Sequence, residues 1–178
     1  MDLEQLKYPI GKYNPPEVIS QEQRSAWIDE IATAPERFRT AASTMSDVQL
    51  DTPYRPEGGW TVRQVLHHVP DSHMNAYIRF KWTLTEDTPI IKAYLEDRWA
   101  KLEDSRIVPI EISLNLLEAL HKRWVSLLKV MTTDEFKRIY VHPQYGKGFS
   151  LERVLGLYAW HGKHHLAHIV NLKERMKW

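Results

Sequence analysis

The chain has 178 residues, 43% of them hydrophobic, which suffices for one well-filled core, and residues 1–178 read as a single domain with an N-terminal arm at 1–19. Lys and Arg number 24 against 23 Asp and Glu, a net +1 with neutral histidines, so the broad basic surface that grips phosphate backbones is missing and nucleic acid is not an expected partner. The absence of cysteine excludes disulfides, a zinc finger and a protein-borne thiol nucleophile, and fits a reducing compartment.

The opening residues, MDLEQLKYPIGKYNPPE, lack the basic-then-apolar pattern of a signal peptide, and no stretch approaches about 18 uninterrupted apolar residues. The expectation is a cytoplasmic protein with no membrane association. After the proline-rich arm, a first helix is predicted from Ser20, where Ser20 and Gln23 have capping-box spacing, to about Met45, with a bend at Pro35. The second follows "PEGG". Thr61 and Gln64 repeat the capping spacing, and Val62, Val65, Leu66, Val69, His73, Ala76, Tyr77 and Phe80 fall on one face. Residues 85–111 form a long link holding a short helical candidate, "YLEDRWAKLEDS". A third helix is expected from about Ser113 to Met131, on a stripe of Leu117, Leu120, Trp124, Leu127, Leu128 and Met131. The run "YVHPQYGKGFS" adds at most a small hairpin, and a fourth helix opens at Ser150, burying Leu151, Val154, Leu155, Tyr158, Ile169, Leu172 and Met176. Because the long link can cross the length of a bundle, helices two and three can run parallel. The fold class is therefore all-α, a four-helix bundle of up-down-down-up order with a long crossover between helices two and three.

The fourth helix carries "YAWHGKHHLAHIVN", with four of the nine histidines inside eight positions. Residues four apart on a helix sit one turn above each other, so His161 with His165, and His164 with His168, can each point nitrogens at one ion. His165 falls inside the apolar stripe and His161 flanks it, while His164 and His168 lie further round. Gly162 lowers helix propensity by about 1 kcal/mol, which suits a close approach at that point, either a ligand or tight helix packing. A lone histidine on an apolar face is ordinarily a hydrogen-bonded core residue. An inward pair, with a further cluster on another helix, points instead to a metal. "WHGKH" has no glutamate where a zincin H-E-x-x-H places its base. A third ligand must come from "VLHHVPDSH". By phase His73 is central, His67 and His68 lie off the face, and Pro70 spoils wheel arithmetic at that point, so the choice stays open.

"GGWTVRQVLHHVPDSHMNAYIRFK" and "LGLYAWHGKHHLAHI", with "YPIGKY" and "LDTPYR", resemble the DinB superfamily, and within it the YfiT-like branch of metal-dependent hydrolases, over nearly the whole chain. The resemblance implies a three-histidine metal site in a four-helix bundle that forms homodimers. A tryptophan opening the second helix is followed eight residues on by a ligand, which gives His68 from Trp60, and the paired histidines of the last helix match His161 and His165. Pro70 departs from the helix former expected there. Three neutral imidazoles leave the full charge on a divalent ion, most simply zinc, with nickel or another transition metal also suited, and favour activation of water for hydrolysis. The alternative that the resemblance carries is an S-transferase using a low-molecular-weight thiol such as bacillithiol. A non-catalytic bundle whose structural metal is closed by a fourth ligand, such as His73, is a third reading. Asp71 and Ser72 are candidates for orienting a ligand, or exposed polar residues. His142 and Tyr145 are candidates for the pocket mouth, and Trp160 is expected to point away from the core toward a partner subunit.

Overall fold

The computed structural model describes residues 2–178. Its elements are α1 (Leu3–Lys7), α2 (Gln21–Ala42), α3 (Asp47–Leu50), α4 (Val62–Thr85), α5 (Glu96–Trp99), α6 (Asp104–Ile107), α7 (Ile110–Val130), α8 (Thr133–Lys137), β1 (Ile139–His142), β2 (Lys147–Ser150) and α9 (Leu151–Met176). Among the described residues no helix is long and apolar enough to cross a membrane. The four long helices begin close to where the sequence places them. Thr61 and Gln64 form the full reciprocal capping box on α4. At α2 only half of it forms, the Ser20 hydroxyl accepting from the Gln23 amide at 3.2 Å. Pro35 and Pro70 both lie inside continuous helices. Three short helices escaped the sequence reading: α1, α3 and α8 start at capping boxes of Asp2 with Gln5, Ser46 with Gln49 and Thr132 with Glu135.

Cross-helix pairs fix the directions. On α4 and α7 the partners climb together, His67 with Ser113 and Phe80 with Trp124, so these neighbours are parallel. α2 and α9 are also parallel, joined by Arg24 with Glu152 near one end and the Lys173 ammonium on the Ala41 carbonyl near the other. α4 and α9 run oppositely, His68 beside His165 and His73 beside Tyr158, as do α2 and α7. The order is up-down-down-up, and the segment carrying α5 and α6 crosses the bundle length, about 30 Å for a helix the size of α7. The β1–β2 hairpin pairs His142 with Lys147 beside its turn and bonds the crossover through Ile91 and Val141.

Packing divides the core in two. Ile28, Ile31, Phe80, Trp124, Leu128 and Leu155 belong to one apolar cluster. Phe38, Val65, Leu66, Leu117, Ile169 and Leu172 belong to the other. Each long helix passes from one cluster to the other at the level where α4, α7 and α9 place His68, His73, His121, His161 and His165, so a layer of imidazoles spans the bundle between two greasy halves. Charge anchors the ends: Arg63 of α4, almost wholly buried, bonds Asp51 at 2.7 Å and Asp47 at 2.8 Å, bracing α3.

The N-terminal arm lies along α9. Tyr13 donates from its hydroxyl to the Arg153 carbonyl, and Trp160 donates from its indole to the Gly11 carbonyl at 3.2 Å. Trp160, expected to meet a partner, thus packs on its own chain. The two glycines of α9 differ. A Cβ on Gly156 would come within 2.5 Å of the Tyr13 hydroxyl and 2.8 Å of the Trp27 ring, so the close approach there is real. A Cβ on Gly162 would meet only Ala34 and His73 at 3.8 Å, an ordinary contact, so packing does not demand glycine there. Gly162→Ala is expected to raise the melting temperature of the metal-free protein by about 1–4 °C through helix propensity. Gly156→Ala is expected to lower it, at a cost of about 1–3 kcal/mol; thermal unfolding of the two variants checks both signs.

Candidate metal centre

α4 and α9 run antiparallel, which sets His68 against the His161–His165 turn. The ring nitrogens of these three residues lie within 4.8 Å of one another, the set that the resemblance implied. The Nε2 atoms of His68 and His161 are 3.3 Å apart. Two nitrogens each about 2.0–2.1 Å from one tetrahedral ion stand about 3.3–3.4 Å apart, so this pair fits a shared ion. Trp60, just before α4, walls the group, its ring 4.6 Å from that of His68 and nearly parallel to that of His165.

His68 and His73, the first off the apolar face by phase and the second central on it, both meet His161, at opposite nitrogens. His73 Nε2 lies 3.1 Å from His161 Nδ1, and His73 Nδ1 lies 2.9 Å from His121 Nε2. His121 Nδ1 is 2.6 Å from the Ile31 carbonyl. A carbonyl only accepts, so His121 must carry its proton on Nδ1 and accept at Nε2. It follows that His73 donates from Nδ1 and accepts at Nε2, and that His161 donates from Nδ1. The Nε2 lone pair of His161 is thereby left bare toward His68. A backbone carbonyl of α2, acting through α7 and α4, sets the tautomer of a candidate ligand. Both nitrogens of His73 are engaged, so it does not close the group as a fourth ligand.

Burial pushes these imidazoles below the ordinary histidine range: His68 and His121 to about 4, and His73, His161 and His165 well below their usual value, with neighbouring histidines adding to the effect for the last three. All are neutral at pH 7, the state a metal ligand requires. His67 is a structural residue. Its Nε2 donates to the Val108 carbonyl at 3.1 Å and its Nδ1 accepts from the Ser113 hydroxyl at 2.7 Å. The second pair on α9 is not free either. His168 stacks on Tyr54 at 3.9 Å and reaches the Lys7 carbonyl, and His164 lies between Trp160 and Tyr8.

The three histidines open on a cavity of about 950 Å³ lined also by Ser72, Arg79, Tyr94, Tyr140 and Tyr158. His142 and Tyr145 reach it from the hairpin, as the sequence suggested. Ser72, for which the sequence favours an exposed polar residue, is instead buried on its wall. Asp71 is not on it; burial, with Asp104 adding repulsion, raises its carboxyl to about 6. The sequence reading missed Arg79, the tyrosines and His121. The signal for His121 was its place four after Leu117 and three before Trp124.

The sequence matches the DinB superfamily over residues 30–169. YfiT of Bacillus subtilis (strain 168) is 52% identical over 173 residues, covering 97% of each chain. A relative from Bacillus cereus (strain 03BB102), named "Putative metal-dependent hydrolase", is 50% identical over 97% of this chain and 98% of its own. The solved Bacillus subtilis YfiT, described as a probable metal-dependent hydrolase with an unusual four-helix bundle topology, superimposes with a TM-score of 0.95 over 98% of this chain and 99% of that one. A mycothiol-dependent maleylpyruvate isomerase shares the fold at a TM-score of 0.59 and 14% identity, over 79% of this chain and 60% of that one.

Two outcomes test the layer without metal. In ¹⁵N spectra of the metal-free protein at pH 7.5, His73, His121 and His161 should all appear as Nδ1–H tautomers, and His121→Phe should release His161 to the alternative. The second is pH dependence. Because the folded pKa values lie below the unfolded one near 6.5, the unfolded chain takes up protons first as pH falls. Stability from the neutral rings is complete above about 6.5 and drains away toward about 4, by about 1 kcal/mol per ring per pH unit. With several rings acting together, urea midpoints of the metal-free protein should drop steeply between pH 6.5 and 5.

Proposed function

The chain belongs to the DinB superfamily, and from that membership and its histidine layer we propose that it is a metal-dependent hydrolase in which His68, His161 and His165 hold one divalent ion, zinc in the first instance. The observation that carries the reading is the shape of the group: three neutral imidazoles meet on one side, a cavity of about 950 Å³ lies on the other, and His73 is turned away into its own hydrogen bonds. Structural zinc sites are closed by four protein ligands, whereas catalytic ones keep a place open. Among the described residues only these three histidines are grouped as candidate metal ligands.

A divalent ion seated there supplies Lewis acidity toward whatever occupies its open position, a water to be activated near pH 7 or a small thiol. The protein's own groups do the rest. His161 keeps its proton on Nδ1, shared with His73, and so presents a fixed lone pair. Trp60 covers the His68 and His165 rings and keeps bulk water from that side. The phenols of Tyr94 and Tyr158, both raised by burial, stay protonated and face the cavity beside Ser72 as neutral donors. Thiol transfer is the second reading, supported by the cavity's size: about 950 Å³ is at the upper end for one small ligand and leaves room for a thiol beside an electrophile.

Protein prepared without a histidine tag should carry about one equivalent of metal, and the combined His68→Ala, His161→Ala and His165→Ala variant should carry none. A screen of esters and amides, with and without low-molecular-weight thiols and electrophiles, then separates the readings. Metal-dependent, thiol-independent turnover supports hydrolysis; turnover only with thiol, without background hydrolysis, moves the assignment to S-transfer. Loss of the fold on chelation with no turnover in either arm would make the metal structural.

A further inference from the structure

Arg79 of α4 is 7% exposed, and among the described residues it makes no ion pair. Its Nε is buried without a partner, and one terminal nitrogen reaches the Lys92 carbonyl only at 3.5 Å. The other buried arginines are spoken for, Arg24 by Glu152 and Arg63 by Asp47 and Asp51. A guanidinium cannot shed its proton, and a charge removed from water without a counter-charge is expensive to keep. No carboxylate among the described residues comes within ion-pair distance of it: its field is felt by the phenols of Tyr94, Tyr140, which it also contacts, and Tyr158, and by His142, while Glu96 on the cavity wall acts on Tyr94 and Tyr158 without pairing with it. Arg79 also lines the cavity onto which the three histidines open.

Position adds to this. At about 100° per residue, His68, Ser72 and Arg79 fall within about 40° of one another on α4, and all three line the same cavity. The helix rises about 16 Å between His68 and Arg79, and the longer arginine reaches further back toward the N-terminus than the histidine does, which leaves the guanidinium on the order of 10 Å from the histidine group. The cavity thus has a candidate metal seat at one end and an unpaired cation toward the other.

We propose that Arg79 is a substrate-binding residue, and that the molecules acted on in this cavity carry a carboxylate about 10 Å from the reacting group. A carboxylate matches the planar fork of a guanidinium, and of the three arginines on the cavity wall, Arg55, Arg79 and Arg98, only Arg79 is buried; the acidic Glu96 and Asp97 on the same wall disfavour a doubly charged phosphate. The inference rests on the metal reading above, and it goes further by naming the substrate class.

The test is titration calorimetry on the zinc-loaded full chain with two probes of equal length, suberic acid monohydroxamate and octanohydroxamate. Both offer a hydroxamate to the metal, and only the first ends in a carboxylate. The acid is expected to bind about tenfold or more tightly than the neutral probe. Arg79→Met should erase the difference without weakening octanohydroxamate, and Arg79→Lys should restore part of it. Equal affinity of the two probes for the wild-type protein, a comparison that needs no variant, would overturn the assignment of Arg79 and leave the metal reading standing. So would a preference for the acid that survives in Arg79→Met. Zinc-loaded protein that binds neither probe would overturn the open metal position, and the Arg79 assignment with it.

Discussion

The Ile31 carbonyl can only accept a hydrogen bond, and a neutral imidazole has one donor and one acceptor; these two facts order the centre of the molecule. Once His121 gives its proton to that carbonyl, each ring along the line through His73 to His161 has one allowed tautomer. The layer is buried between two apolar clusters, where a wrongly placed proton would leave two acceptors or two donors facing each other without water to help. A polar slab is tolerated in such a core because His121, His73 and His161 satisfy one another in series. The series ends on a lone pair beside His68, so the solution to a packing problem also prepares a coordination site.

Topology makes the slab possible. Parallel neighbours α4 and α7 bring His73 and His121 to the same height, and antiparallel α4 and α9 bring His68 to His161 and His165. Parallel adjacent helices need a connection as long as the bundle, and that connection becomes a wall of the cavity. Tyr94, Leu95 and Glu96 come from it, while the hairpin bonded to it through Ile91 and Val141 contributes Tyr140, His142 and Tyr145. A bundle with short links would have placed the same histidines with nothing standing in front of them.

Much of this was legible in the sequence because caps and periodicity are local. Thr61 with Gln64, Ser150, and the stripes of α4, α7 and α9 mark the long helices within a few residues, and the long link implied the parallel pair. What was not legible depends on distant segments meeting. The phase of α4 favoured His73, which is indeed central, but its partners are other histidines; His68, off the face by phase, is buried by Trp60 and α9. The assignment of Leu120 to the stripe of α7 hid His121, one position on, which is the buried residue. Trp160 points away from the bundle core as its phase says, yet the arm reaches it from far along the chain. Arg79 carries no local mark, since its meaning comes from walls supplied by the crossover and the hairpin.

The arm has a last effect. α9 carries two histidine pairs at the same spacing, so a helix alone would offer an incoming cation two competing berths. One is engaged from within the chain: His168 stacks on Tyr54 and reaches the Lys7 carbonyl, and Tyr8 lies beside His164. Residues that look like a loose leader therefore make the two seats unequal, one set against α4 and the other tied to the arm.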